Sequence, residues 1–132
     1  MNIFLDANII LDLIDIDRAN LENTKELLRN YLIDGATLYT SCDIFTTVYY
    51  VASKKIDFKT VTKELEKILT FVEIVPIDIN IINKAIAISK EKNHKDLEDI
   101  LQYVCAKKSS CEVIVTNDKS FYSDGIKLIG TK

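Results

Sequence analysis

Three aspartates that are far apart in the chain lie where strands end or a helix begins. Asp6 follows the apolar run IFL, Asp118 comes shortly after the run EVIV, and Asp99 belongs to the acidic stretch KDLEDIL. Hard divalent ions prefer oxygen ligands, and Mg²⁺ typically uses one or two carboxylates while it keeps several waters. The three aspartates are therefore candidate ligands of Mg²⁺ or Mn²⁺, and such an ion would activate water for phosphodiester hydrolysis.

Asp6 and Asp118 also have ordinary structural explanations. Asp6 is placed to cap the helix predicted to begin near Asn8. Asp118 is placed to form an Asx-type turn or to cap the short segment DKSF. For either residue alone, a structural role and a ligand role are about equally consistent with the sequence.

The stretch KDLED raises the same question for the start of a helix. Asp96 as the N-cap, with Glu98 and Asp99 in the first turn, would stabilise the helix without any ligand. Asp99, however, shares a helical stripe with Gln102 and Tyr103, and this stripe is only half polar, as expected for a cleft. Several carboxylates buried together without a cation would cost roughly several kcal/mol. The aspartates taken jointly therefore favour a metal site.

The composition is that of one folded domain, which we expect to span residues 1–132. The chain has 48% hydrophobic residues, with only 3 Gly and 1 Pro. It contains no apolar run near the length of about 18 residues that a membrane span needs, and no basic region precedes the first apolar stretch. We therefore expect a soluble, cytoplasmic protein without a membrane partner. The formal net charge of −3 argues against a broad basic face that grips duplex DNA.

The three cysteines show no CxxC spacing and are odd in number. Cys42, Cys105 and Cys111 lie in apolar or helical contexts. They are therefore predicted to be small buried thiols in a reducing compartment, not a disulfide or zinc framework.

Strands and helices are predicted to alternate along the chain, and they must position the acids. Strands separated by helices predict βαβ units, here a three-layer α/β sandwich with a mainly parallel sheet. Ligands of such sheets bind beyond the carboxyl ends of the strands, so Asp6 and Asp118 should meet at one edge. Strands are predicted at 3–5, 36–41, 72–76, 112–116 and 126–130, and helices near Asn8, at 20–34, up to about 54, at 58–70, from Asp78 or Asn80 to about 92, and at 96–109.

Three segments together resemble the PIN-domain ribonucleases, especially the small VapC-like toxins of bacterial toxin–antitoxin pairs. They are FLDANIILD at 4–12, KDLEDILQYVCA at 95–106 and IVTNDKSF at 114–121, and the resemblance covers essentially the whole chain. It implies an acidic pocket at the carboxyl edge of a parallel sheet, in which Asp6, Asp99 and Asp118 would hold Mg²⁺ or Mn²⁺. The supporting polar positions that it implies are Asn8, Thr47, Glu98, Thr116 and Asn117.

One position departs from the family pattern. The second acid of the family, most often Glu, falls here on Thr47, which carries no charge. Asp43 lies one helical turn earlier on the same stripe, ~5.4 Å away along the helix axis. It would reach the pocket through a metal-bound water, or else cap the helix that follows Ser41. Asp43 is therefore a fourth, less secure catalytic candidate.

The resemblance implies a metal-dependent RNA endonuclease that is the toxin of a toxin–antitoxin pair. It also implies a small antitoxin that inserts a segment into the pocket, and a homodimer for which the helices at 20–33 and 42–52 are candidate surfaces. Lys95 and Lys119 would contact the RNA backbone, and Tyr50 or Tyr103 would stack on a base unless they belong to the core. The single His94 is expected at the surface.

Two alternatives remain open at this point. A haloacid-dehalogenase-like phosphatase also has an aspartate after its first strand, but it needs a second aspartate two residues later and then Gly-Thr. Here Ala7-Asn8-Ile9-Ile10 follows Asp6. The second alternative is a catalytically weakened interaction module for RNA or protein on the same scaffold, which the uncharged Thr47 makes plausible.

Overall fold

Every strand predicted from an apolar run is present in the computed structural model, which describes all 132 residues of the chain. The five strands are β1 (Asn2–Leu5), β2 (Thr37–Ser41), β3 (Val72–Val75), β4 (Val113–Val115) and β5 (Lys127–Ile129). The six helices are α1 (Ala7–Ile14), α2 (Leu21–Ile33), α3 (Ile44–Ala52), α4 (Phe58–Ile68), α5 (Ile79–Lys92) and α6 (Leu97–Lys108).

The five strands form one sheet in the order β3-β2-β1-β4-β5, and every neighbouring pair is parallel. The central strand β1 pairs with β2 on one side and with β4 on the other. Leu5 is opposite Val115, so β1 and β4 end side by side. The residues that follow these two strands therefore leave the sheet at the same edge.

The side chains of β1 alternate between two cores, as a strand covered on both faces requires. Ile3 and Leu5 pack with residues of α1–α4, whereas Phe4 packs with residues of α5 and α6. The same alternation occurs in β4, where Ile114 belongs to the α5–α6 side. The predicted three-layer α/β sandwich with a parallel central sheet is thus confirmed.

The structure sets the helix boundaries more narrowly than the sequence did. The third helix ends at Ala52 and not near residue 54, because Ser53 donates its hydroxyl hydrogen bond to the Tyr49 carbonyl (2.6 Å) and the chain then turns. At α5, Asp78 and not Asn80 is the cap, and its carboxylate accepts a hydrogen bond from the Ile81 amide (2.9 Å).

The cysteine prediction is correct for two of the three thiols. Cys105 and Cys111 are buried, but Cys42 is exposed, because it follows the carboxyl end of β2, where the chain emerges from the sheet. All three are free thiols. None of the helices combines the length and the apolarity that a membrane crossing requires.

Candidate active site

Asp6 lies at the corner where β1 passes into α1, and it is only 3% exposed. Its amide donates to the Val115 carbonyl (3.1 Å), which fixes the corner against the end of β4. Its carboxylate makes no capping hydrogen bond to α1, although Asp6 occupies the N-cap position. Instead, Oδ2 accepts a hydrogen bond from the Thr116 hydroxyl (2.8 Å), so the carboxylate is directed toward the end of β4.

Gln102 contributes to this corner, although nothing in the sequence pattern gave it a role. Its side chain is 1% exposed, and Oε1 accepts a hydrogen bond from the Ala7 amide (3.1 Å). The one signal in the sequence is its position three residues after Asp99, on the half-polar stripe of α6. A polar residue on a buried helical stripe needs a partner, but the stripe does not identify that partner.

Asp99 lies in the first turn of α6 and is 8% exposed. Its amide donates to Asp96 Oδ1 (3.1 Å), so the predicted capping role of Asp96 is confirmed. Burial, together with the negative charges of Asp96, Asp6 and Asp118, raises the pKa of the Asp99 carboxyl to about 7. The structure therefore brings the three distant aspartates within electrostatic reach of one another.

Opposing influences act on the Asp6 carboxyl. Burial raises its pKa, and the nearby charge of Asp118 adds to this effect. The hydrogen bond from the Thr116 hydroxyl lowers the pKa, as do the nearby Ala7 amide and Gln102 side chain, but the net direction is upward. Asp6 thus behaves as a buried acid that neighbouring donors hold partly in its ionised form.

Asp118 is half-buried and forms the Asx-type turn that the sequence allowed. Both the amide (2.9 Å) and the hydroxyl (2.7 Å) of Ser120 donate to its Oδ1. The Asp118 amide in turn donates to the Thr116 hydroxyl oxygen (3.1 Å). Thr116 therefore connects Asp6 and Asp118 through one buried hydroxyl group, and the turn does not use Oδ2 of Asp118.

Asp43 and Glu98 form the rim of the same acidic region. Burial raises the pKa of the half-buried Glu98, and the charges of Asp43, Asp96 and Asp6 contribute. Asp43 does not cap α3 with its side chain, since its Oδ1 accepts from the Ser41 hydroxyl (2.5 Å). Thr47 is half-buried.

Two of the predicted supporting residues have other surroundings. Asn8 is exposed on the first turn of α1. Asn117 binds Thr131 twice, by donating from Nδ2 to the hydroxyl (2.8 Å) and by accepting from the Thr131 amide (2.8 Å). A Cβ atom at Gly130 would lie 2.9 Å from Asn117 Oδ1, so a side chain at this position would require Asn117 to shift. Asn117 therefore anchors the segment after β5.

The two tyrosines considered for base stacking differ in burial. Tyr103 belongs to the core, and its hydroxyl donates to the Asp124 carbonyl (2.8 Å), so of the two alternatives the core placement holds for it. Tyr50 is 66% exposed, and Lys54 Nζ lies 4.5 Å from the centre of its ring. Only Tyr50 is available to an external base.

His94 lies in the turn between α5 and α6 and is half-buried, not fully exposed as expected. Its Nδ1 accepts from the Asp96 amide (3.3 Å), and its ring meets the Tyr122 ring edge-on at 5.5 Å. His94 therefore supports the turn that leads into α6. Lys95 and Lys119 are exposed beside the acidic region, as a contact with phosphate would require.

The acidic region suits a hard divalent ion in its chemistry. None of the four ion pairs in the protein involves Asp6, Asp99 or Asp118, so no lysine or arginine neutralises them. No three acid, histidine or cysteine side chains are gathered tightly enough to hold one ion together. The arrangement fits Mg²⁺ bound by one or two carboxylates with waters completing its shell, not a closed site of the zinc type.

Comparison with known proteins gives a family and a curated relative. Residues 3–124 match the family model described as PIN domain. The chain is 43% identical over 131 residues to Ribonuclease VapC1 of Aquifex aeolicus (strain VF5), and the alignment covers 98% of this chain and 90% of that protein.

Several solved structures share the fold. VapC20 of Mycobacterium tuberculosis, described as a Sarcin-Ricin loop cleaving toxin, has a TM-score of 0.74 at 13% identity, covering 90% of this chain and 92% of that chain. VapBC2 from Rickettsia felis, bound to a DNA fragment from its promoter, has a TM-score of 0.72 at 20% identity, with 98% of each chain covered. A toxin–antitoxin complex from Klebsiella pneumoniae has a TM-score of 0.69 at 17% identity, covering 98% of this chain and 97% of that chain.

Proposed function

This chain belongs to the PIN domain family, and on that premise we propose that it is a Mg²⁺- or Mn²⁺-dependent RNA endonuclease. The observation that carries the proposal is the group of buried aspartates at the carboxyl edge of the sheet. The charge of Asp118 raises the pKa of both Asp6 and Asp99, the charge of Asp6 also raises that of Asp99, and none of the three has a cationic partner. Such a group is costly unless a cation binds to it. The curated relative with 43% identity is named a ribonuclease, which supports the choice of RNA.

One or two of Asp6, Asp99 and Asp118 would bind the ion directly, and the remaining acid would bind it through its water ligands. When bound, a divalent ion lowers the pKa of a water ligand and neutralises charge on the phosphate. The Thr116 hydroxyl fixes the Asp6 carboxylate, and Ser120 fixes that of Asp118. These bonds arrange the acids before substrate arrives, so little reorganisation is needed at the moment of reaction.

Residues at the rim complete the proposed site. Glu98 and Asp43 add negative charge there and accept hydrogen bonds from waters around the ion. Lys95 and Lys119 contact the phosphates of a single strand. Tyr50 offers an exposed ring for stacking on a base. These roles account for an RNA substrate on a protein with a net charge of −3.

We also propose that the chain is the toxin of a toxin–antitoxin pair. A groove with a volume of about 560 Å³ between α2 and α4 offers a surface for the antitoxin. Its exposed apolar side chains are Leu32 and Phe71, and its charged lining residues are Lys25, Arg29 and Lys67, of which Lys67 is paired with Glu64. An amphipathic helix with acidic residues beside its apolar stripe fits such a groove. A basic antitoxin side chain would complement the unneutralised acids of the pocket.

A homodimer is the proposed state of the free protein. On α3, Tyr49 and Val51 are also exposed, and exposed apolar side chains of this kind commonly mark interfaces. The candidate surface at residues 42–52 therefore remains, whereas the other candidate, at 20–33, contributes Leu28 and Leu32 to the antitoxin groove.

Cleavage of a labelled single-stranded RNA by the purified protein tests the proposed reaction. Cleavage should require Mg²⁺ or Mn²⁺ and stop when EDTA is added. Asp99→Asn should lower kcat/KM by at least ~100-fold, because it removes a ligand charge. Asp78→Asn is a matched control, since it changes a capping aspartate outside the pocket and Asn also caps well. Equal rates for Asp99→Asn and the wild type, or cleavage that persists in EDTA, would contradict the proposal.

The second candidate is an interaction module on the same scaffold. It is favoured by one observation, that the uncharged Thr47 occupies the place where the family usually has an acid. If neither the wild type nor Thr47→Glu cleaves RNA while the wild type binds an antitoxin tightly, the interaction module is the better description. If Thr47→Glu cleaves faster than the wild type, the chain is a weakened nuclease.

A further inference from the structure

We propose that Gln102 is a positioning residue that keeps the Asp6 carboxylate turned into the acidic pocket by serving the first amide of α1. The proposal rests on the proposed function, because the orientation of Asp6 matters for catalysis only if Asp6 binds the ion. Gln102 itself does not contact the ion or the RNA in this scheme.

The start of a helix leaves amide groups without partners, and an aspartate at the N-cap ordinarily turns its carboxylate back to accept from one of them. Asp78 and Asp96 do this at α5 and α6. Asp6 has the extended backbone of an N-cap, with φ −63° and ψ 153°, but its side chain makes no such bond.

Oxygen atoms other than those of the Asp6 carboxylate accept the hydrogen bonds of the amides in the first turn of α1. The Ala7 amide donates to Gln102 Oε1 (3.1 Å), across 95 residues of sequence. The Ile9 and Ile10 amides donate to the main-chain carbonyl of Asp6 (2.9 and 3.3 Å). With these bonds in place, α1 has less need of the Asp6 carboxylate, which binds Thr116 instead.

The hydrogen bond from the Ala7 amide to Gln102 also links two acids of the pocket, Asp6 and Asp99. Gln102 lies three residues after Asp99, so both project from the same side of α6. A hydrogen bond from the corner after Asp6 to Gln102 therefore fixes the separation of Asp6 and Asp99. Gln102 is 1% exposed, so water does not compete for this bond.

Three variants test the proposal. Gln102→Met keeps the length of the side chain but removes its acceptor and its donor. Gln102→Glu keeps an oxygen able to accept from the Ala7 amide. Cys105→Ala, also buried on α6 but not bonded to the corner, controls for a general loss of packing. The measurements are the crystal structure of each variant, the Mn²⁺ affinity by calorimetry without RNA, and the separate kcat and KM for RNA cleavage.

In Gln102→Met, we expect the Asp6 carboxylate to rotate toward the amides of α1 and the Mn²⁺ affinity to fall about 10- to 100-fold. We expect kcat to fall while KM for RNA stays within about twofold. Gln102→Glu should restore the orientation of Asp6, and Cys105→Ala should lower only the thermal stability.

If Gln102→Met leaves the Asp6 orientation and the Mn²⁺ affinity as in the wild type, the proposal is wrong and Gln102 is only a structural tether. The proposed function has separate outcomes: if the wild type neither binds Mn²⁺ nor cleaves RNA, that function fails. The orientation of Asp6 in the two Gln102 variants still decides the present proposal in that case.

Discussion

Asp99 gives the ion-free protein an unusual dependence of stability on pH. Its carboxyl has a pKa of about 7 in the folded protein, against an ordinary value of 3.8. Between these two values the folded state binds more protons than the unfolded state, so the free energy of unfolding falls as pH rises. The stability contribution of Asp99 is therefore fully present below about pH 4 and lost by the time pH passes about 7.

Asp99→Asn should remove this dependence. In a chelator at about pH 8, we expect the variant to be more stable than the wild type by about 1–3 kcal/mol, because it no longer buries a charge beside Asp6 and Asp118. At about pH 4 the two proteins should be nearly equal, since Asp99 is then protonated in the folded state and about half protonated in the unfolded state. Urea denaturation at both pH values measures the difference. A wild type that is as stable as the variant at the higher pH would contradict this account of the pocket.

At the residue level, the sequence predicted where the acidic side chains lie better than it predicted which groups form hydrogen bonds or ion pairs with one another. Asp6 and Asp118 were expected at one sheet edge because each follows an apolar strand, and the structure brings them together there. Gln102 was not expected to have a role, because its partner Ala7 is 95 residues away and no periodicity records such a pair. Asp12, buried in α1 and paired with Arg18 at 2.7 Å, was missed for the same reason.

The aspartates that cap α5 and α6 make the same hydrogen bond but have different electrostatic surroundings. Asp78 and Asp96 each accept a hydrogen bond from the amide three residues later. Asp78 faces Lys108 (3.5 Å), whereas Asp96 faces other acids and raises the pKa of both Asp99 and Glu98. The same cap is therefore favourable at α5 and partly opposed by repulsion at α6.

Replacing each capping aspartate by alanine should separate the stabilisation by the capping hydrogen bond from the repulsion between neighbouring acids. Asp78→Ala loses the cap and the contact with Lys108, so its urea midpoint should fall clearly. Asp96→Ala also loses a cap but relieves repulsion on Asp99 and Glu98, so at about pH 8 its midpoint should fall less. At about pH 5, where Asp99 is protonated, the two losses should become similar. Equal losses at both pH values would show that repulsion from Asp96 is negligible.

At the level of elements, composition located the strands well and the helix ends less well. The apolar runs Ile3–Leu5 in β1 and Val113–Val115 in β4 are short and continuous, as strands covered on both faces require, whereas the edge strand β3 is interrupted by the exposed Glu73. The end of α3 was expected two residues later than observed, because the Ser53 hydroxyl bond that ends it depends on the local turn. Helix ends are set by such single contacts and not by periodicity.

For the whole molecule, the α/β architecture followed from the order of elements, but the docking surfaces did not. Apolar stripes on helices look alike in a sequence whether a core or a partner covers them. The structure separates these cases, since Leu28 is buried while Leu32 is 41% exposed and Val51 is 39% exposed. Only the exposed members are available to a second protein.

Two substitutions matched in exposure test the assignment of these surfaces. Val51→Glu should convert a dimer of the 15.0 kDa chain into a monomer in light scattering after gel filtration. Leu32→Glu should leave the dimer intact and weaken binding of the co-expressed antitoxin, because it places a charge in the groove between α2 and α4. If Leu32→Glu is monomeric and Val51→Glu weakens antitoxin binding instead, the dimer surface and the antitoxin surface have been assigned the wrong way round.

The central position of β1 determines when the acidic pocket can assemble during translation. This strand is translated before its neighbour β4, and four helices and two strands lie between α1 and β4 in addition to α6. Asp6 is therefore made well before Asp99 and Asp118 can join it. A nascent chain that stalls before α6 lacks both later acids, so interrupted translation releases no assembled pocket.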